Sequence, residues 1–152
     1  MPTKYAHTNI ISENWEKLAD FYIKVFDCKP VLPKRSLSGT WLEKGTAVKK
    51  ANLEGVHLRL PGWGEDGPTL EIYSYNEMLE KPEPPSANRK GFGHLAFQVD
   101  DVQETLEKLI SLGGTMLGEI VTKKVEGLGV VNFTYATDPE GNIIEVQKWN
   151  RN

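Results

Sequence analysis

Residues 136–147, ATDPEGNIIEVQ, hold a turn and the start of a strand in one line. DPEGN (138–142) supplies Asp, Pro, Gly and Asn, each suited to a tight turn. The residues after it alternate, so Ile144 and Val146 point one way and Glu145 and Gln147 the other. That strand has one apolar face and one bearing a carboxylate. The same arrangement occurs at 69–75, TLEIYSY, where Leu70 and Ile72 oppose Glu71, Tyr73 and Tyr75. Two further stretches hold a histidine near their start: YAHTNII (5–11) with His7, and GFGHLAFQV (91–99) with His94. On the latter, Leu95, Phe97 and Val99 share one face, and His94, Ala96 and Gln98 the other. One His and one Glu in each half, all opposite the faces that should take a helix, suggest one metal site built from two halves.

Outward from these stretches, 5–11 reads as a strand, and Ser12, Glu13 and Glu16 as the polar, acidic start of a helix. Trp15, Leu18, Ala19, Tyr22, Val25 and Phe26 recur at three and four residues, one stripe facing a core. Pro30 and Pro33 are read as stopping that helix. After a loosely patterned stretch around Trp41, 55–60 and 69–75 alternate as half-buried strands. Residues 77–91, with Pro82, Pro84 and Pro85 among charges, read as a linker. The programme then restarts with a strand at 92–99 and with Asp101 and Glu104 at capping-box spacing. Val102, Leu106, Leu109 and Ile110 form a helical stripe that Gly113 and Gly114 end. Three extended segments follow, at 116–121, 130–137 and 142–149. Each half reads as βαβββ, a repeat of element order rather than of identity.

At 152 residues the chain has about the length of one domain. Its net charge is −3 and its Lys and Arg residues are scattered, which argues against a nucleic acid groove or an acidic membrane surface and for a small-molecule partner. Cys28 is the only cysteine, so a disulfide within the chain and a thiolate zinc cluster are excluded, and any metal must take N and O ligands. The N-terminus lacks a basic start followed by an apolar run, and no stretch approaches the roughly 18 apolar residues of a membrane span. The expected location is the cytoplasm.

The residues AHTNII plus a helix, GHLAFQVDD plus a helix, and above all ATDPEGNIIEVQ resemble the vicinal oxygen chelate superfamily. Glyoxalase I, methylmalonyl-CoA epimerase, extradiol dioxygenases and the fosfomycin and bleomycin resistance proteins belong to it. The resemblance covers nearly the whole chain and implies an α+β fold. Two βαβββ modules (about 5–76 and 92–149, linker 77–91) of a single domain would form an open, cupped barrel of mixed sheet with helices on its outer face. It implies one divalent metal held by His7, Glu71, His94 and Glu145, a set similar to that of glyoxalase I, and a homodimer. Epimerase sites tend to have Gln where this chain has Glu71.

Two imidazoles and two carboxylates leave room in an octahedral shell for two adjacent substrate oxygens, next to which a carboxylate can remove a C–H proton. Glu145 and Glu71 are the candidate bases, Glu145 ranked ahead by the resemblance. Ni, Co or Zn is the expected metal, with Fe or Mn as alternatives. The expected activity is that of a glyoxalase-like lyase or isomerase acting on a small carbonyl compound, such as a thiol or thioester conjugate. The competing readings are an extradiol-type dioxygenase, a metal-dependent thiol transferase of the fosfomycin-resistance kind, and a non-catalytic binding protein of the bleomycin-resistance kind. His57, Arg59, Tyr73 and Gln98 are candidate substrate contacts. For His57 a cup-lining or exposed position, and for Arg59 a surface salt bridge, are the plainer accounts.

Overall fold

The computed structural model describes residues 2–152 and divides the chain into two compact units, Met1–Lys81 and Pro82–Asn152. The division falls inside the proline-bearing stretch 77–91. Among the described residues, three helices and two mixed β-sheets make the fold α+β. None of those helices is long and apolar enough to cross a membrane.

The first unit runs β1 (His7–Ile11), α1 (Trp15–Phe26), β2 (Lys29–Ser38), α2 (Thr40–Thr46), β3 (Asn52–Arg59) and β4 (Thr69–Tyr75). Its sheet has the order β1-β4-β3-β2, with β1 parallel to β4 and the other pairs antiparallel. Helix α1 is capped by Asn14, whose side chain accepts from the Lys17 N–H at 3.2 Å, while the Ser12 hydroxyl two residues earlier accepts from the Asn14 N–H. Leu18, Ala19, Tyr22 and Phe26 are buried as the stripe predicts, joined by Phe21, and α1 lies over the apolar side of β3 and β4. That side carries Val56, Leu58, Leu70 and Ile72, each at most 3% exposed. Pro30 and Pro33 do not stop the helix: it ends at Phe26 with Asp27 in the left-handed region, and both prolines lie inside β2. An edge strand tolerates them because one side needs no N–H donor, and Pro33 falls in the register break between Val31 and Arg35. The stretch around Trp41 forms α2, whose Leu42 packs with Ala51, Leu53 and Tyr73.

The second unit runs β5 (Leu95–Gln98), α3 (Val102–Ser111), β6 (Thr115–Met116), β7 (Val121–Val125), β8 (Gly129–Thr137) and β9 (Ile143–Arg151). Strand order is β5-β9-β8-β6, β5 is parallel to β9, and β7 also pairs with β8. The Asp101 side chain caps α3 by accepting from the Glu104 N–H at 2.9 Å. Val102, Leu106 and Leu109 are buried, but Ile110 is 43% exposed, so the stripe is narrower than its spacing predicts. The strand expected at 116–121 is instead the short β6 and the separate β7. The strand expected at 92–99 begins only at Leu95, with Gly91 and Gly93 before it and His94 immediately ahead of the ladder. The turn at 138–142 closes as its residues require. Buried Asp138 accepts from the backbone of Glu140 and Asn142 at 2.9 and 3.0 Å and from Asn142 Nδ2 at 2.8 Å. Gly141 there takes φ 83°, where a side chain is strained.

Candidate functional site

In the first unit, register decides which side chains meet. Glu71 on β4 lies between His57 on β3 and Asn9 on β1, and Thr69 lies between Arg59 and His7. The period of two puts all six, with Tyr73, on the face away from α1. Glu71 is 8% exposed, and a buried carboxylate is costly unless its oxygens are satisfied. Oε1 accepts from Asn9 Nδ2 at 3.1 Å and lies 3.2 Å from His7 Nε2. Oε2 accepts from the Tyr73 hydroxyl at 3.1 Å and lies 2.8 Å from His57 Nε2.

The His57 ring links two more groups: Nε2 is 2.8 Å from the Tyr73 oxygen and Nδ1 is 3.2 Å from Thr69 Oγ1. Because the Tyr73 hydrogen goes to Glu71, its oxygen accepts from His57. This places the imidazole proton on Nε2 and leaves Nδ1 to accept from Thr69. Burial holds the His57 pKa below its ordinary value, with Glu71 opposing and Arg35 and His7 reinforcing the fall, so the ring is neutral as that tautomer needs. Burial, then the Glu71 charge and hydrogen bond, push the Tyr73 phenol far above its usual range and keep it a donor. Gly55 makes the arrangement possible. A Cβ there would stand 2.1 Å from the Ile72 carbonyl oxygen and 2.5 Å from Tyr73 Cδ1.

The second unit repeats the ladder with different chemistry. Glu145 on β9 lies between Tyr135 on β8 and Ala96 on β5, and His94 precedes Ala96 by the interval that separates His7 from Asn9. Tyr135 hydrogen-bonds to Glu145; burial first, then that carboxylate, raise its phenol pKa. The His94 ring lies 4.7 Å from the Tyr135 ring, tilted by 44°. Glu145 is half-buried and His94 exposed.

Of the residues singled out by sequence, His7, His57, Glu71 and Tyr73 are joined in one network. His94 and Glu145 both meet Tyr135. Arg59 shares the Glu71 face, and its buried Nε has no hydrogen-bond partner. Gln98 is exposed, opposite Gln147. Among the described residues, no group of three or more His, Cys, Asp or Glu side chains is arranged to hold a metal ion. The sequence reading missed Asn9, Thr69 and Tyr135. Alternation from His7 and Glu71 points to Asn9 and Thr69, whereas Tyr135 emerges only from the cross-strand register.

The model of the Glyoxalase/Bleomycin resistance protein/Dioxygenase superfamily matches residues 4–146. The chain belongs to this superfamily. Solved members and relatives share its fold at low identity. A glyoxalase family protein from Bacillus cereus is 16% identical with a TM-score of 0.75, over 97% of this chain and 93% of that one. The fosfomycin resistance protein FosX from Listeria monocytogenes, solved with Mn(II) and 1S,2S-dihydroxypropylphosphonic acid, is 16% identical with a TM-score of 0.53, over 96% and 92%. TioX from Micromonospora sp. ML1 is 14% identical with a TM-score of 0.55, over 97% and 100%. No curated protein sequence matches this superfamily member.

Proposed function

We propose that this protein is a metal-dependent lyase or isomerase of the glyoxalase kind, moving a proton next to the carbonyl of a small substrate. The observation that supports it is the matched register of two His/Glu pairs, each Glu flanked by the strand that begins at or just after its His. Superfamily membership supports a divalent metal, and one fold relative is solved with Mn(II).

The chemistry of the donors suits such an ion. All four groups are N or O donors, and His7 Nε2 and Glu71 Oε1 are 3.2 Å apart, close to the roughly 3.0 Å between neighbouring ligands of an octahedral ion bound at about 2.1 Å. His7, Glu71, His94 and Glu145 are the proposed ligands, and the bound metal would act as a Lewis acid toward a chelating pair of substrate oxygens.

The protein's own groups divide the remaining work. Glu71 has both oxygens engaged; the His7 contact is the one that gives way when both groups become ligands. Glu145, for which Tyr135 is the adjacent hydrogen-bonding group, is the carboxylate that would loosen from the metal as substrate arrives, accept the C–H proton and return it to the neighbouring carbon. Arg59, with its buried Nε unpaired, would take an acidic group of the substrate, a carboxylate or phosphate. Gln98 offers a second polar contact. We further propose a cytoplasmic homodimer of single-domain chains.

Elemental analysis of the purified protein and of His7→Ala and Glu145→Ala variants tests the reading. About one divalent metal per site, diminished in both variants, with turnover of methylglyoxal–thiol adducts or epimerisable acyl thioesters, is expected. Catechol cleavage with bound iron would favour the dioxygenase reading. Absence of metal after reconstitution would leave a binding protein.

A further inference from the structure

We infer that Tyr73 and His57 are positioning residues that lock the Glu71 carboxylate in one orientation, so that Glu71 serves as a fixed ligand. This rests on the metal reading above and goes beyond it by naming the two residues that hold one of the carboxylates in place.

The geometry behind it is a closed set of hydrogen bonds. Thr69 Oγ1 donates to His57 Nδ1 at 3.2 Å, and His57 Nε2–H faces both the Tyr73 oxygen and Glu71 Oε2 at 2.8 Å. Tyr73 O–H donates to the same Oε2 at 3.1 Å. Asn9 Nδ2 holds the other oxygen at 3.1 Å. When His7 turns to a metal, three donors still grip the carboxylate, one from each strand of β1, β3 and β4. A carboxylate so held has no free rotation, and the three donors together with the metal would fill its lone-pair sites, leaving none to follow a substrate proton.

The lock is itself supported. Tyr73 is fixed at its ring by Leu42, Ala51 and Leu53, with Leu37 and Tyr75 beside them, and lies over a glycine that no larger residue could replace without displacing it. The His57 and Tyr73 rings meet edge to face at 5.8 Å. Partners of this kind, bonded to a ligand rather than to the ion, typically change metal affinity or activity 10- to 100-fold when removed. The second unit has no equivalent set: Tyr135 takes the place of His57, Ala96 that of Asn9 and Gln147 that of Tyr73.

The test uses the full-length protein and the variants Tyr73→Phe, His57→Ala and His57→Gln. Tyr73→Phe keeps the ring and its packing, so the fold is retained; His57→Gln keeps an N–H donor. In metal-free protein, long-range 1H–15N correlation should show His57 as one neutral tautomer protonated at Nε2, and Tyr73→Phe should disturb it. Calorimetric titration with Mn(II) or Ni(II) should show affinity falling about 10- to 100-fold in Tyr73→Phe and His57→Ala, with partial recovery in His57→Gln. Mn(II) and Ni(II) affinities within twofold of the parent in the first two variants, while His7→Ala loses metal, would overturn the positioning role and leave the metal reading standing. Undiminished metal binding in His7→Ala and Glu71→Gln would overturn both, and the nitrogen shifts would then identify the network as purely structural.

Discussion

Glu71 and Glu145 occupy equivalent places in their sheets and live in different surroundings. Each sits on the strand that pairs parallel with the first strand of its unit and antiparallel with the preceding one. Glu71 is buried among Asn9, His7, His57 and Tyr73; half-buried Glu145 meets Tyr135 alone among the corresponding positions, because Ala96 and Gln147 stand where Asn9 and Tyr73 do. The large rings are also exchanged between strands. In the first unit Tyr73 on β4 covers Gly55 on β3, whereas in the second Phe133 on β8 faces Gln147 on β9. A repeated backbone thus fixes where a side chain stands, while its neighbours decide what the side chain can do.

The largest effect should come from breaking this asymmetry. Glu145→Gln keeps the hydrogen bond to Tyr135 and removes the basic oxygen, so kcat should fall roughly 10²- to 10⁴-fold while thermal stability is unchanged. Glu71→Gln should act first on metal content, measured on the same preparations. Equal losses of kcat at equal metal occupancy would mean that the two carboxylates are interchangeable.

The closing turns sharpen the contrast. The second unit joins β8 to β9 through DPEGN, with three donors satisfied by Asp138, whereas the first joins β3 to β4 through an irregular stretch at 60–68. Asp138→Ala leaves those donors without their acceptor and should lower stability by about 3 kcal/mol in denaturant titration. The exposed Asp66→Ala in the longer connection should change it by less than about 0.5 kcal/mol. Gly55→Ala comes next. Overpacking against Tyr73 and Ile72 should cost about 1–3 kcal/mol and weaken metal binding with it, while Gly118→Ala, where a Cβ meets nothing, should do neither.

Much of this asymmetry is absent from the sequence, although its frame is legible there. The α+β class, both long helices, β4, and the DPEGN turn follow from alternation, helical stripes and turn chemistry, because each of those signals is local. The His/Glu pairs proposed as ligands are legible as His and Glu on or next to the polar sides of strands. What was not visible depends on pairing. Pro30 and Pro33 read as breakers until β2 proves to be an edge strand, and α2 shows only one buried residue, Leu42, too few for a stripe. The Tyr73–His57–Glu71 network needs the register of β3 against β4, which no periodicity reveals. His57 consequently read as lining or exposed, although its ring bridges three side chains.

At neutral pH no effect is predicted for the ionisation of Cys28, which follows α1 in the first unit and is fully buried; its effect comes only in alkali. Burial, then the neighbouring Asp27 charge, push its thiol up to about 12. In the unfolded chain it ionises near 8.5, so between that pH and about 12 the unfolded state binds fewer protons than the folded one. Stability should therefore fall as pH rises through this window, at a limiting slope of about 1.4 kcal/mol per pH unit from this group. Below the unfolded pKa the group has no effect. Urea melts of the parent and Cys28→Ala at pH 7 and pH 10 isolate the contribution, since Cys28→Ala keeps every other titrating group and should show the shallower alkaline loss. Iodoacetamide should label the folded parent far more slowly than the unfolded chain, because the reactive thiolate is both scarce and enclosed. Rapid labelling of the folded protein at pH 8 would mean that the helix end opens, and with it the packing that holds α1 over β3 and β4.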